Sequence, residues 1–174
     1  MDFTPFAWPV PSSSERAGPV IGCICGTENF PEKRWPVEHW RELLTALFAA
    51  HPQASVRLFG VAGDIPLTDA VAAGFPAERV SNEAGKTNLL QFADALRACS
   101  VVVCNDTGGM HLANALGVPV VAVYGPTNPV RTGPIFDAPR ILLQPDGCPP
   151  TGGVPLAELP AARVLEVLAP WLPR

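Results

Sequence analysis

A chain of 174 residues with a formal net charge of −4 suits one domain, large enough to bury a proper core. Hydrophobic residues make up 48% and charged residues 16%, which fits a buried sheet covered on both faces. The acidic balance argues against general nucleic-acid binding, because no basic field exists to neutralise a phosphate backbone, but it leaves room for a local basic pocket around one small phosphate ligand. No stretch approaches the roughly 20 apolar residues of a spanning helix, and Pro5, Pro9 and Pro11 interrupt the first 18 residues, which also lack a basic start. The five cysteines, Cys23, Cys25, Cys99, Cys104 and Cys148, are odd in number and form no CxxC. They read as buried, reduced thiols of a cytosolic protein.

In chain order, residues 1–18 are rich in Pro and Ser and read as a linker or N-terminal arm, with a domain spanning 19–174. Phe3, Phe6 and Trp8 are unusual in a linker and are expected to dock on this domain or on a neighbour. A strand over Val20 to Cys25 is followed by the loop GTENFPEKRW and a helix over Val37 to Ala50. Its Trp40, Leu43, Leu44 and Leu47 make an apolar stripe at helical spacing. Val56 to Phe59 predicts a second strand, Pro66 to Ala73 a short helix and Arg79–Val80 a brief strand. Asn88 caps a helix over Leu89 to Ala98, with Leu89, Phe92, Ala93 and Leu96 expected inward.

Val101 to Val103 is a β-branched run typical of a fully buried parallel strand. A turn of Asn105, Asp106, Thr107, Gly108 and Gly109 leads into a helix over Met110 to Leu116, stopped by Gly117 and Pro119. Val120 to Tyr124 predicts the next strand and Arg140 to Leu143 a last, edge strand. A Pro/Gly-rich loop over 144–155 precedes a final helix around Ala161 to Ala169, with Val164, Val167, Leu168 and Trp171 on its buried side. Strands alternating with helices through short turns imply an α/β fold: a Rossmann-like parallel sheet with helices on both faces.

Three loops follow strand carboxyl ends and are expected to meet at one edge of the sheet: 26–35, 60–64 and 105–111. Lys33 and Arg34 offer cations, and Asp64 and Asp106 offer carboxylates. Thr107 and the amides of Gly108 and Gly109 offer donors at a helix N-terminus, and His111 adds an imidazole. Cations, a hydroxyl and helix N–H groups together suit a pyrophosphate, and a carboxylate one loop away suits a ribose diol. Blander roles stay open for each: Asp106 as a helix cap, His111 as an ordinary helical histidine, Lys33 and Arg34 as a solvated loop face, Asp64 as a turn residue. No GxxxxGK[ST] or GxGxxG is present, no Ser/His/Asp set stands out, and the Asp106/His111 pair is too thin for a metal site.

KRWPVEHWRELL after the first strand, with NDTGGMHLANALGVPVVAVYGPTNP further on, closely resembles the ADP-heptose:lipopolysaccharide heptosyltransferase family over roughly Val20 to Pro134. The resemblance implies one half of a GT-B architecture, the C-terminal donor-binding domain of an inverting, metal-independent glycosyltransferase. It implies a nucleotide-diphosphate-sugar donor such as ADP-heptose, no cofactor, a glycolipid acceptor, and an N-terminal acceptor domain that supplies the general base. By motif, Lys33, Thr107 and the Gly108–Gly109 amides would hold the donor diphosphate. Asp106 would contact the sugar, His111 would sit beside the phosphates, and Lys86 and Thr87 would line the nucleobase side. Asp64 matches an acidic position, often Glu in the family, that contacts the nucleoside ribose; Asp is one methylene shorter. Residues 1–18 would then be the interdomain linker. The chain alone is expected to bind donor without turnover. The location implied is cytoplasmic, with a peripheral seat at the inner membrane through the complete enzyme left open. A non-enzymatic nucleotide-sugar module, and a GT-B or epimerase-like enzyme using another nucleotide sugar, are the alternatives.

Overall fold

The computed structural model describes residues 3–7, 18–28 and 30–172. Six strands form one sheet: β1 Val20–Ile24, β2 Ser55–Phe59, β3 Val80–Asn82, β4 Val101–Asn105, β5 Val120–Val123 and β6 Arg140–Leu143. Their order is β3-β2-β1-β4-β5-β6 and every pairing is parallel. This is the doubly wound order expected when right-handed crossovers place successive helices on opposite faces of the two halves.

The period-two alternation of the strands divides the core into two layers. Ile21, Cys23, Val101, Val103, Val121 and Val123 face one way, onto α1 (Val37–Ala50), α2 (Ile65–Ala72) and α6 (Ala161–Leu168). Val20, Ile24, Val102, Cys104, Val120 and Ala122 face the other, onto α3 (Leu89–Arg97) and α4 (Gly108–Ala115). Both faces of β1, β4 and β5 are therefore buried, which is why these strands read as unbroken apolar runs. The α1 stripe of Trp40, Leu43, Leu44 and Leu47 is fully buried. A short α5 (Pro129–Thr132), capped by the side chain of Asn128, follows β5 where the sequence pattern predicts no helix.

Three expectations need correction. Leu89 does not point inward: it is 71% exposed, because it is the first residue of α3 and projects past the helix end rather than onto the sheet. Of the four residues expected on the buried side of the last helix, Val164 and Leu168 are buried, while Val167 and, past the helix end, Trp171 pack half-buried at the margin. Cys148 is half-buried, whereas Cys23, Cys25, Cys99 and Cys104 are buried, and all five are free thiols. Phe6 docks on this domain, its ring tilted against Phe136 with centroids 5.4 Å apart and its N–H donating to the Ala115 carbonyl at 2.8 Å; Trp8 lies outside the described residues. No helix among the described residues is long and apolar enough to cross a membrane.

Candidate functional site

The sheet changes hand between β1 and β4. The helix after β1 packs on one face and the helix after β4 on the other, so the loops that follow these two strands diverge and leave a crevice at their carboxyl ends. A cleft of about 550 Å³ opens there, lined by the ends of β1 and β2, the loop before α3 and the start of α4. Its walls are of two kinds. Val61, Leu89 and Phe92 make an apolar side, and Asp64, Thr87, Thr107 and the glycine backbone make a polar one.

α4 begins at Gly108, two residues earlier than its hydrophobic pattern predicts, so Gly108 and Gly109 form its first turn. The N-cap is Thr107, and no side chain caps the helix; Asp106 is therefore not a cap. The Gly108 and Gly109 N–H groups stand at the cleft with the positive end of the helix dipole, while the Met110 N–H is taken by the Thr107 carbonyl at 3.1 Å. A Cβ on Gly108 would meet no protein atom within 4 Å, whereas one on Gly109 would come 2.7 Å from Ile24 Cδ1. Gly109 is thus glycine for packing, and Gly108 faces open space.

Asp64 is buried and lies between the β1 and β2 ends. Its Oδ2 accepts the Val61 N–H at 3.1 Å, so it does hold the turn, and it also lines the cleft. The room for its carboxylate comes from two missing side chains: a Cβ on Gly26 would lie 2.2 Å from Asp64 Cγ, and one on Gly60 2.7 Å from Asp64 Cβ.

Lys33 and Asp106 do not line the cleft but meet beside it. The Lys33 ammonium donates to Asp106 Oδ2 at 2.9 Å, with the side chains 20% and 7% exposed. Thr132 Oγ1 approaches the same oxygen at 3.2 Å. Arg34, the second expected cation, is turned away: its Nη2 donates to the Thr27 carbonyl at 2.7 Å, and the Thr27 hydroxyl donates to the Phe30 carbonyl at 2.9 Å. It staples the loop that carries Lys33. His111, the fourth residue of α4, is exposed and outside the cleft lining. Thr87 lines the cleft, while the neighbouring Lys86 ammonium donates to the Asn82 carbonyl at 2.7 Å.

One residue named only as part of the turn organises this edge. Asn105 is fully buried at the end of β4. Its Oδ1 accepts the Trp35 N–H at 3.1 Å and its Nδ2 donates to the Cys25 carbonyl at 2.6 Å. A polar residue closing an otherwise apolar buried strand is the available signal for such a clip, since an unpaired amide there would be costly. The apolar wall of Val61 and Phe92 had no local signature.

A family model described as glycosyltransferase family 9 (heptosyltransferase) matches residues 9–155. The chain belongs to this family. Among family 9 relatives, it is 39% identical over 132 residues to lipooligosaccharide heptosyltransferase 2 of Haemophilus influenzae, covering 74% of this chain and 38% of that protein. The solved structure of the ADP-heptose lipopolysaccharide heptosyltransferase II of E. coli superposes with a TM-score of 0.79 at 34% identity, covering 92% of this chain and 48% of that one. A second E. coli heptosyltransferase, solved with ADP, gives 0.74 at 29% identity over 90% of this chain and 45% of that one. The chain thus spans less than half the length of these family 9 proteins, and the match to their structures agrees with the six-stranded parallel architecture described above.

Proposed function

We propose that this chain is the donor-binding half of an inverting, metal-independent glycosyltransferase that uses ADP-heptose or a closely related nucleotide-diphosphate sugar. The observation that carries this reading is the cleft itself: an apolar wall, a buried carboxylate and a helix N-terminus opening on Gly108 all line it. A purine fits the slot of Val61, Leu89 and Phe92 beside Thr87, its ribose hydroxyls reach Asp64, and the diphosphate takes the Thr107–Gly109 turn. The ADP in the E. coli relative supports the choice of nucleotide. Lys33 and Asp106, paired at the cleft margin, stand where the second phosphate and the sugar would follow, with His111 further along the same helix.

In this reading the acceptor hydroxyl attacks the anomeric carbon while ADP departs from the opposite face. Charge developing on the leaving diphosphate is stabilised by the Lys33 ammonium and the α4 N–H groups, dipoles already oriented before reaction. The proton of the acceptor hydroxyl goes to a general base on a second, acceptor-binding domain, which also receives the glycolipid. Calorimetry with ADP, UDP and GDP tests the donor site: ADP is expected to bind best. A folded chain that binds none of them even at millimolar concentration overturns the reading, and a preference for UDP or GDP reassigns the donor.

A further inference from the structure

We infer that Thr132 is a positioning residue that holds Asp106 in place when Lys33 transfers to the donor diphosphate; the inference rests on the donor-site reading. The Asp106 side chain is only 7% exposed, so its carboxylate cannot be left without a donor at small cost. Among the described residues, its two side-chain partners converge on one oxygen: Lys33 Nζ at 2.9 Å and Thr132 Oγ1 at 3.2 Å, both on Oδ2. No described residue donates to Oδ1 through a hydrogen bond seen in the structure, and Oδ1 is not sealed from solvent.

Lysine is a point charge on a flexible stem, and the Lys33 loop adjoins the turn assigned to the diphosphate. A bound diphosphate, with more charge than one carboxylate, draws the ammonium away from Oδ2. What remains there is the Thr132 hydroxyl. That hydroxyl has a single proton and two acceptors in reach, Asp106 Oδ2 and the Asn128 carbonyl at 3.1 Å. The Asn128 carbonyl already receives the N–H groups of Arg131 and Thr132, each at 3.1 Å, so the hydroxyl is dispensable to it. The proton is therefore available to the carboxylate, where the bond is charge-assisted.

Thr132 itself is firmly held. The phenol of buried Tyr124 donates to the Thr132 carbonyl at 3.2 Å, and the Asn128 side chain caps α5 through Val130 N–H and Arg131 N–H. Asp106 thus stays anchored through Oδ2 and keeps Oδ1 for a hydroxyl of the transferred sugar.

The test titrates adenosine and ADP into the 174-residue chain and into Thr132→Val and Thr132→Ser, with melting temperatures recorded for each. Thr132→Val, close in shape but without the proton, is expected to weaken ADP about tenfold and to leave adenosine unchanged, because adenosine does not recruit Lys33. Thr132→Ser restores the ADP affinity. In an Asp106→Asn background the Val substitution has no further effect, since no charge is left to hold. Unchanged ADP affinity in Thr132→Val, or equal losses for ADP and adenosine, overturns the inference. A wild-type chain that fails to bind ADP overturns the donor-site reading first, and the two failures are separated by titrating wild type alone.

Discussion

At Gly108 the fold and the proposed ligand make opposite demands, and Gly108→Ala separates them. Gly108 is the first residue of α4 and is not among the glycines with positive φ. Its added Cβ meets nothing within 4 Å. The folded state therefore accepts alanine, and the unfolded chain loses freedom, a gain of about 0.4–1 kcal/mol. For a chain of this size that raises the melting temperature by about 1–4 °C. In the proposed site the same methyl stands in the space through which a phosphate oxygen would approach the helix N–H groups. Losing one charge-assisted hydrogen bond costs about 1.5–3 kcal/mol, or roughly a 10- to 150-fold weaker ADP complex, with adenosine unaffected. Gly109→Ala is the contrasting control. Its Cβ would lie 2.7 Å from Ile24 Cδ1 and 3.3 Å from Phe92 Cζ, so overpacking lowers stability by about 1–3 kcal/mol. Thermal melts and calorimetry read both effects. A more stable Gly108→Ala chain that binds ADP as tightly as wild type refutes the assignment of the diphosphate to this helix. A fall in melting temperature refutes the account of the space around Gly108.

Asn105→Ala is expected to remove about 2–5 kcal/mol from the unfolding free energy, because the Trp35 N–H and the Cys25 carbonyl lose their buried side-chain partner. Urea unfolding measures it, and a loss below about 1 kcal/mol would mean that water replaces the clip. Burial pushes the thiols of Cys23, Cys25 and Cys104 well above their ordinary value of 9.0. Above pH 9 the unfolded chain releases protons that the folded chain keeps, so stability is full below that pH and falls above it, by about 1.4 kcal/mol per pH unit for each thiol. Urea midpoints at pH 8 and pH 10 give the slope. In the native protein a thiol reagent should modify half-buried Cys148 first, and a single common rate for all five cysteines would contradict the buried positions.

Much of the fold was legible because it is written in local patterns. β1, β4 and β5 are covered on both faces and appear as apolar runs, and the α1 stripe keeps its helical spacing. The turn at Thr107–Gly109 was legible for the same reason, as glycines at a helix start. Leu89 was misread by that very rule. It falls on the periodic positions of α3 with Phe92, Ala93 and Leu96, yet as the first helical residue it has no preceding turn to cover, since a helical side chain lies over the turn N-terminal to its own Cα. It covers the cleft instead. The central pairing has no local signature at all. Lys33 and Asp106 are separated by 73 residues, and Thr132 comes from beyond the next strand. They meet because β1 lies beside β4 and β5 beside β4 in the sheet, which brings the three carboxyl-terminal loops together. Charges can be assigned to an edge from sequence; which charge holds which follows from strand order. That order also explains why a pair this close does not close the cleft. The helices after β1 and β4 leave on opposite faces, so the two loops touch at Lys33 and Asp106 and part at Thr27 and Thr107. The opening between them is where the donor is proposed to enter.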